Sequence, residues 1–311
     1  MKLAFLFPGQ GSQKVGMVHD LYETYDSVKA LIKEADETLG FSISKMMFEG
    51  PDTELMKTEF TQPAILTASV ACWKVLGEKG IAPDVAAGHS LGEYSALVAV
   101  GAMSFADAVH TVHLRGKFMQ EAVPLGEGGM AAIIGLDPAS IVSICEEVSR
   151  AAGPVQAVNF NCPGQTVIAG ATKAVEAACA ALKEGGAKRA LLLKVSAPFH
   201  STLMEPAAAR LAEVLDKIEI KDAAIPVVAN VNAKEETKAA DIRENLVQQA
   251  AHAVHWEESV RHMIGEGYDT FVEAGPGTVL SGFMRKIDRT PTSLHAEDAA
   301  TIDHVVETLG K

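Results

Sequence analysis

The 311 residues carry 27 Lys and Arg against 40 Asp and Glu, a formal charge of −13, with 48 % hydrophobic and 22 % charged side chains. Such a chain can bury a sizeable core in about two domains, or in one domain with an insertion. Its acidity excludes a sequence-independent nucleic-acid binder, which needs a basic face to displace counterions. Cys72, Cys145, Cys162 and Cys179 form no CxxC pair and are too sparse for a disulfide framework, so neither a zinc ribbon nor a disulfide scaffold is expected. The opening MKLAFLFPGQGSQ is too short in apolar residues for a signal-peptide core or a membrane span. A reducing, cytoplasmic compartment is the expectation, with no membrane and no nucleic-acid partner.

Leu3–Phe7 reads as a buried strand ended by Pro8-Gly9 and followed by a Gly/Gln-rich loop. Thr61-Gln62-Pro63 is expected to open a helix, with the threonine as its cap and proline in the first turn, where it loses no hydrogen bond. A short strand follows at Asp84–Ala87, then helices at Leu91–Val100 and Phe105–Glu121. Gly126-Glu127-Gly128-Gly129 marks a boundary. Beyond it, strands at 130–135, 155–160, 165–170 and 189–195 and helices at 138–152 and 172–184 give the order β-α-β-β-α-β, a ferredoxin-like arrangement. Alternation resumes after Pro198, with helices at 203–218, 242–250 and 257–265 and strands at 227–230 and 270–274. The expected fold is thus α/β: a large subdomain built on a parallel sheet, from residues 1–125 and 198–311, interrupted by a small one at 126–197.

Gly88-His89-Ser90-Leu91-Gly92 matches G-x-S-x-G between a strand and an apolar helix, the context a nucleophile elbow requires. Such a turn lifts the serine oxygen above the sheet edge, and the Leu91 amide at the helix start can hold an oxyanion. His200 stands where a strand ends, after the elbow in chain order, and is the candidate base. No acid is singled out by spacing. A side-chain amide or main-chain carbonyl could orient the imidazole instead, since a carboxylate there would repel an anionic substrate. Asp107, His110 and His113 share one helix face, which reads as solvated rather than metal-binding.

The ordered set Phe7-Pro8-Gly9-Gln10-Gly11-Ser12-Gln13, Thr61-Gln62-Pro63-Ala64, Gly88–Tyr94, Arg115–Gln120, Asn159-Phe160-Asn161, Gln165–Gly170 and Glu273–Gly277 closely resembles the malonyl-CoA:acyl-carrier-protein transacylases and the acyltransferase domains of polyketide synthases. It spans the chain from Leu3 to about Arg285. The resemblance implies an α/β-hydrolase-like large subdomain and a malonyl-serine ester on Ser90, with His200 as base and the Gln249 main-chain carbonyl orienting it. It implies an oxyanion hole from the amides of Gln10 and Leu91, and Arg115 holding the malonyl carboxylate. Gln62, Asn161 and Phe199 are expected in the pocket. Phe199 and Leu91 resemble the malonyl-selective pattern and leave little room for an α-methyl branch.

The implied substrates are malonyl-CoA and acyl carrier protein, with no cofactor and no metal, and a monomer is expected. Because both proteins would be acidic, docking calls for a local basic patch, for which Lys188, Arg189, Arg285 and Lys286 are the candidates. A serine esterase or thioesterase, a polyketide-pathway malonyl acyltransferase and a non-catalytic docking module remain as alternatives.

Overall fold

A computed structural model describes residues 1–195 and 197–310, so Ser196 and Lys311, which the expected domain limits include, lie outside the described residues. The N-terminal part comprises β1 (Leu3–Phe7), α1 (His19–Thr24), α2 (Asp26–Leu39), α3 (Ile43–Glu49), α4 (Asp52–Leu55), α5 (Thr58–Glu78), β2 (Val85–Gly88), α6 (Gly92–Ala99) and α7 (Phe105–Glu121). Next come β3 (Gly128–Ile134), α8 (Pro138–Ala152), β4 (Val155–Cys162), β5 (Gln165–Ala171), α9 (Thr172–Glu184) and β6 (Arg189–Leu192). The remainder is α10 (Glu205–Leu215), β7 (Val227–Val228), β8 (Glu235–Glu236), α11 (Ala239–Gln249), α12 (Trp256–Gly265), β9 (Thr270–Ala274), α13 (Val279–Ile287), β10 (Thr292–Ala296) and α14 (Ala299–Leu309).

The larger sheet has the order β10-β9-β1-β2-β7-β8 and is parallel except for the β7–β8 pair. All five residues of β1 are buried: Leu3, Phe5 and Phe7 face one apolar cluster, Ala4 and Leu6 another. An unbroken apolar run is what a central parallel strand covered on both faces requires. The second sheet, β4-β5-β3-β6, is antiparallel throughout and carries α8 and α9 on one face. Alternation along β3 divides its side chains. Ala131 and Ile133 pack under those helices, while Met130 and Ala132 join the main core. The small sheet therefore roofs the large one with its second face.

Several elements depart from the sequence reading. α5 starts at Thr58, before the expected Thr61, and Thr61 caps nothing. Its hydroxyl instead donates to the carbonyl of Leu55 at 2.5 Å. Pro63 sits in the second turn, where its missing N–H frees the Glu59 carbonyl, and His113 Nδ1 meets that carbonyl at 2.8 Å. His113 thus joins α7 to α5. The segment read as a strand at 189–195 is a strand only over Arg189–Leu192, with one more bond from the Leu193 N–H to the Met130 carbonyl, and that at 227–230 pairs only over Val227–Val228. The helices of residues 19–55 and the C-terminal β10 and α14 carry no expectation above. Yet Val28, Leu31, Ile32 and Ala35 of α2 are buried at a helical spacing.

The elbow is where backbones crowd most. A Cβ on Gly88 would lie 1.9 Å from the carbonyl of Gly92, and one on Gly92 would lie 2.0 Å from that of Phe7. Gly88→Ala is therefore expected to lower stability by about 3 kcal/mol or more, because only backbone can move aside. By contrast, Gly77→Ala, in α5 with open space around the new methyl, should raise stability by roughly 0.5–1 kcal/mol. Urea unfolding of the two variants beside the wild type tests the contrast.

Candidate active site

Ser90 lies between the end of β2 and the start of α6 with φ 53°, a left-handed conformation uncommon for a residue with a side chain. Asn230, just beyond β7, fixes this turn from the neighbouring strand. Its Oδ1 accepts from the Ser90 N–H at 2.7 Å, and its Nδ2 donates to the Gly88 carbonyl at 2.7 Å. Leu91 is already helical, so its amide belongs to the positive end of α6.

Between Ser90 Oγ and His200 Nε2 the distance is 2.7 Å, and between His200 Nδ1 and the Gln249 main-chain oxygen it is also 2.7 Å. A carbonyl only accepts, so Nδ1 carries the proton and Nε2 is left to accept from the serine hydroxyl. The acceptor that orients the base is thus a neutral carbonyl, and Gln249 supplies it. His200 is 3 % exposed. Burial, then the charge of Arg115, pulls its pKa from 6.5 down to about 3, so the imidazole is neutral at pH 7.

Arg115 projects from α7 and is 2 % exposed. Among the described residues its hydrogen bonds all go to neutral groups: Nη1 to Gln62 Oε1 at 2.6 Å, and Nη2 to Gln249 Oε1 at 2.9 Å and to Ser90 Oγ at 3.1 Å. The guanidinium also lies 5.6 Å from the Tyr94 ring centre. Close packing of α7 on α5 makes this reach possible, since a Cβ on Gly116 would lie 2.5 Å from the Thr58 carbonyl oxygen. From Gln62 the network continues to Thr58 Oγ1 at 3.0 Å and from there to Gln10 Oε1 at 2.8 Å. Gln10 and Arg115 are therefore tied together by three hydrogen bonds through two neutral residues, Gln62 and Thr58.

These residues surround a cavity of about 110 Å³, which Gln10, Gln62, His89, Leu91, Met119, Met130, Asn159, Leu193, Val195 and Phe199 line with Ser90, Arg115 and His200. The volume suits a small acyl group and not a nucleotide. Among the described residues the amides of Gln10 and Leu91 have no internal acceptor. Both are free to receive an oxyanion. A larger cleft of about 490 Å³ adjoins it, sharing Gln10 and Val195 and reaching Lys57, Leu125 and Lys194.

Most of the residues expected from the sequence converge here, with one displaced. Asn161 stands behind the wall, with Oδ1 2.8 Å from His89 Nε2, and Asn159 lines the cavity. The irregular register of β4 against β5 around Ala157–Cys162 underlies the exchange. Lys188 and Arg189 are exposed at the start of the edge strand β6, and Arg285 and Lys286 are exposed on α13. Asp107 bonds within the cap of α7, and His113 meets the Glu59 carbonyl. Asn230, Glu93 and Thr58 are additions that no motif reading weighed on their own account.

A strained serine, a neutral histidine and paired free amides above a two-subdomain α/β fold define a serine acyl-transfer enzyme. The family model described as acyl transferase domain matches residues 4–304, and the chain belongs to that family. It is 53 % identical over 308 residues to the malonyl CoA-acyl carrier protein transacylase of Bacillus subtilis (strain 168), covering 99 % of this chain and 97 % of that protein. A malonyl-transacylase solved in complex with its type II PKS acyl-carrier protein superimposes with a TM-score of 0.96 at 48 % identity, over 99 % of this chain and 100 % of that one. An acyl-carrier-protein S-malonyltransferase from Burkholderia pseudomallei 1710b gives 0.96 at 46 % identity, with the same coverage.

The depressed His200 pKa has two consequences. The folded protein loses stability as pH falls from 6.5 towards 3, because the unfolded chain takes up that proton first. Serine activation, conversely, persists in acid. An uncharged serine-directed sulfonyl fluoride should modify Ser90 at pH 5.5 within about twofold of its rate at pH 7.5, where an ordinary histidine would lose about tenfold. Intact-protein mass spectrometry measures the rates, and a tenfold fall would place the base at an ordinary pKa.

Proposed function

We propose that this protein transfers the malonyl group of malonyl-CoA to the phosphopantetheine thiol of acyl carrier protein, supplying fatty-acid biosynthesis. The observation that carries the reading is a buried guanidinium 3.1 Å from the nucleophile and bonded, among the described residues, only to neutral partners. A cation so placed suits an acyl group that ends in a carboxylate. The names of the relatives agree. A serine esterase is not favoured, since a neutral ester would leave that charge unanswered.

In the first half-reaction the malonyl carboxylate pairs with Arg115. Ser90 Oγ attacks the thioester carbon as His200 Nε2 takes the hydroxyl proton, and the oxyanion is held by the Gln10 and Leu91 amides. Collapse breaks the C–S bond, and the departing CoA sulfur receives the proton from His200. In the second half, the carrier thiol gives its proton to His200 and attacks the ester carbonyl, and Ser90 leaves with that proton. Among the described residues no carboxylate bonds to the imidazole, whose partners are Ser90 Oγ and the Gln249 carbonyl. Phe199, Met119 and Met130 line the cavity with bulky apolar side chains, which favours an unbranched malonyl group.

The adjoining cleft gives the phosphopantetheine arm a route to Ser90. We assign carrier docking to its mouth, where Lys194 stands, together with the exposed Lys188 and Arg189 at the start of β6, which would offset repulsion between two acidic proteins. Arg285 and Lys286 are a second candidate patch. We take a monomer as the working unit. We take residues 126–197 as the small subdomain and the rest as the catalytic one. The four cysteines are free thiols, which supports a reducing, cytoplasmic setting. Among the described residues no helix is long and apolar enough to cross a membrane.

Incubation with malonyl-CoA should add one malonyl group, mapped to Ser90 by peptide mass spectrometry, and Ser90→Ala should abolish the adduct. Labelling of the variant at wild-type stoichiometry would contradict the assignment. Arg115→Ala should cost malonyl transfer about 2–5 kcal/mol of transition-state binding, the range for breaking a buried charged pair. Acetyl transfer should change much less. Comparing kcat/KM for the two acyl-CoAs tests this, and an unchanged malonyl-to-acetyl ratio would exclude Arg115 as the carboxylate partner.

A further inference from the structure

Glu93 lies in the first turn of α6 and is fully buried beside the site. Its Oε2 accepts from the Asn230 main-chain N–H at 2.9 Å and from Gln249 Nε2 at 3.0 Å. Oε1 has no hydrogen-bond partner among the described residues. An acid in such a place is costly to bury, so it needs a reason beyond filling space.

The reason lies in the Gln249 amide. Its Nε2 faces Glu93 and the Ser90 carbonyl, the latter at 2.9 Å, while its Oε1 takes Arg115 Nη2 at 2.9 Å. The amide dipole thus lies between acid and cation with each end on its complement. Turning the amide over would set N–H against guanidinium. Gln249 also supplies the main-chain carbonyl that orients His200. One residue therefore holds both the base and the cation.

We propose that Glu93 is a positioning residue for acyl transfer: by fixing the rotation of the Gln249 side chain, it keeps Arg115 in register beside Ser90. The inference rests on the roles assigned above to Arg115 and Ser90. Burial, reinforced by Glu236, raises the Glu93 pKa to about 8, against the opposing effects of Asn230, Gln249 and Arg115. At pH 7 the side chain is then largely a protonated acid, whose hydrogen-bonding pattern a glutamine reproduces.

The orientation of His200 serves every acyl group, whereas that of Arg115 serves only one bearing a carboxylate. Releasing Gln249 should accordingly slow malonyl transfer more than acetyl transfer. The test measures single-turnover acylation of Ser90 by malonyl-CoA and by acetyl-CoA, normalised to titrated active sites, in the wild type, Glu93→Met and Glu93→Gln. Met keeps the length but accepts no such bond. It should lower the malonyl rate by about 10²-fold, the scale of a misplaced reacting group, and the acetyl rate by about tenfold or less. Gln should restore both to within about threefold, since it still accepts from Asn230 and Gln249.

Equal losses for the two acyl groups in Glu93→Met, no loss at all, or no recovery in Glu93→Gln would overturn the proposal. Should Glu93→Met not fold, Gln249→Met removes the same amide and keeps the main-chain carbonyl. A greater loss for malonyl than for acetyl is expected there too, and equal losses would overturn the proposal. A wild type that forms no malonyl-Ser90 adduct would instead overturn the functional reading beneath it.

Discussion

A guanidinium buried to 2 % exposure, hydrogen-bonded among the described residues to neutral partners only, is the constraint on which the site turns. Removing such a charge from water is expensive, and burial draws the Arg115 pKa below its ordinary value, although arginine stays protonated in proteins. Two glutamine oxygens and a serine oxygen solvate it in place of water. None of them neutralises it, so the charge remains available to an anion entering the cavity. A third-member carboxylate on His200 would place a competing anion close by. The carbonyl of Gln249 orients the imidazole without that competition.

Packing of the large subdomain follows from bringing this cation to the serine. α5 and α7 must approach closely, which Gly116 allows, and His113 uses the carbonyl that Pro63 frees on Glu59 to join them. On the opposite side Asn230 closes the strained turn at Ser90, and Glu93 meets both Asn230 and Gln249. α6, α7, α11 and the end of β7 therefore form one polar network around a single serine. The small sheet completes the enclosure, since Met130 and Asn159 reach the cavity from β3 and β4. The cavity that results, about 110 Å³, suits a small acyl group.

The parts that sequence made legible are local ones. The elbow is a five-residue pattern between a strand and a helix, and its glycines stand where the backbones touch. The β-α-β-β-α-β order of the small subdomain was equally visible, because period-two and period-3.6 runs alternate cleanly there. Arg115 and Gln249 were accessible only through family resemblance, for each lies on a helix whose pattern alone reads as an ordinary face. Asn230 and Glu93 were not legible as site residues. They meet across 137 positions, and neither carries a spacing that announces the contact. The irregular β4 register likewise hid that Asn159, and not Asn161, faces the cavity. Four short helices between residues 19 and 55 offered little periodicity beyond that of α2.

The most direct measurement is a crystal structure of the malonyl-enzyme, trapped by soaking malonyl-CoA in the absence of carrier protein. The ester oxygen on Ser90 should lie with its carbonyl towards the amides of Gln10 and Leu91. The free carboxylate should lie within hydrogen-bond distance of the Arg115 guanidinium, with Gln62 and Gln249 still attached to it. A carboxylate turned outward into the adjoining cleft, with Arg115 bonded as in the free protein, would contradict the account.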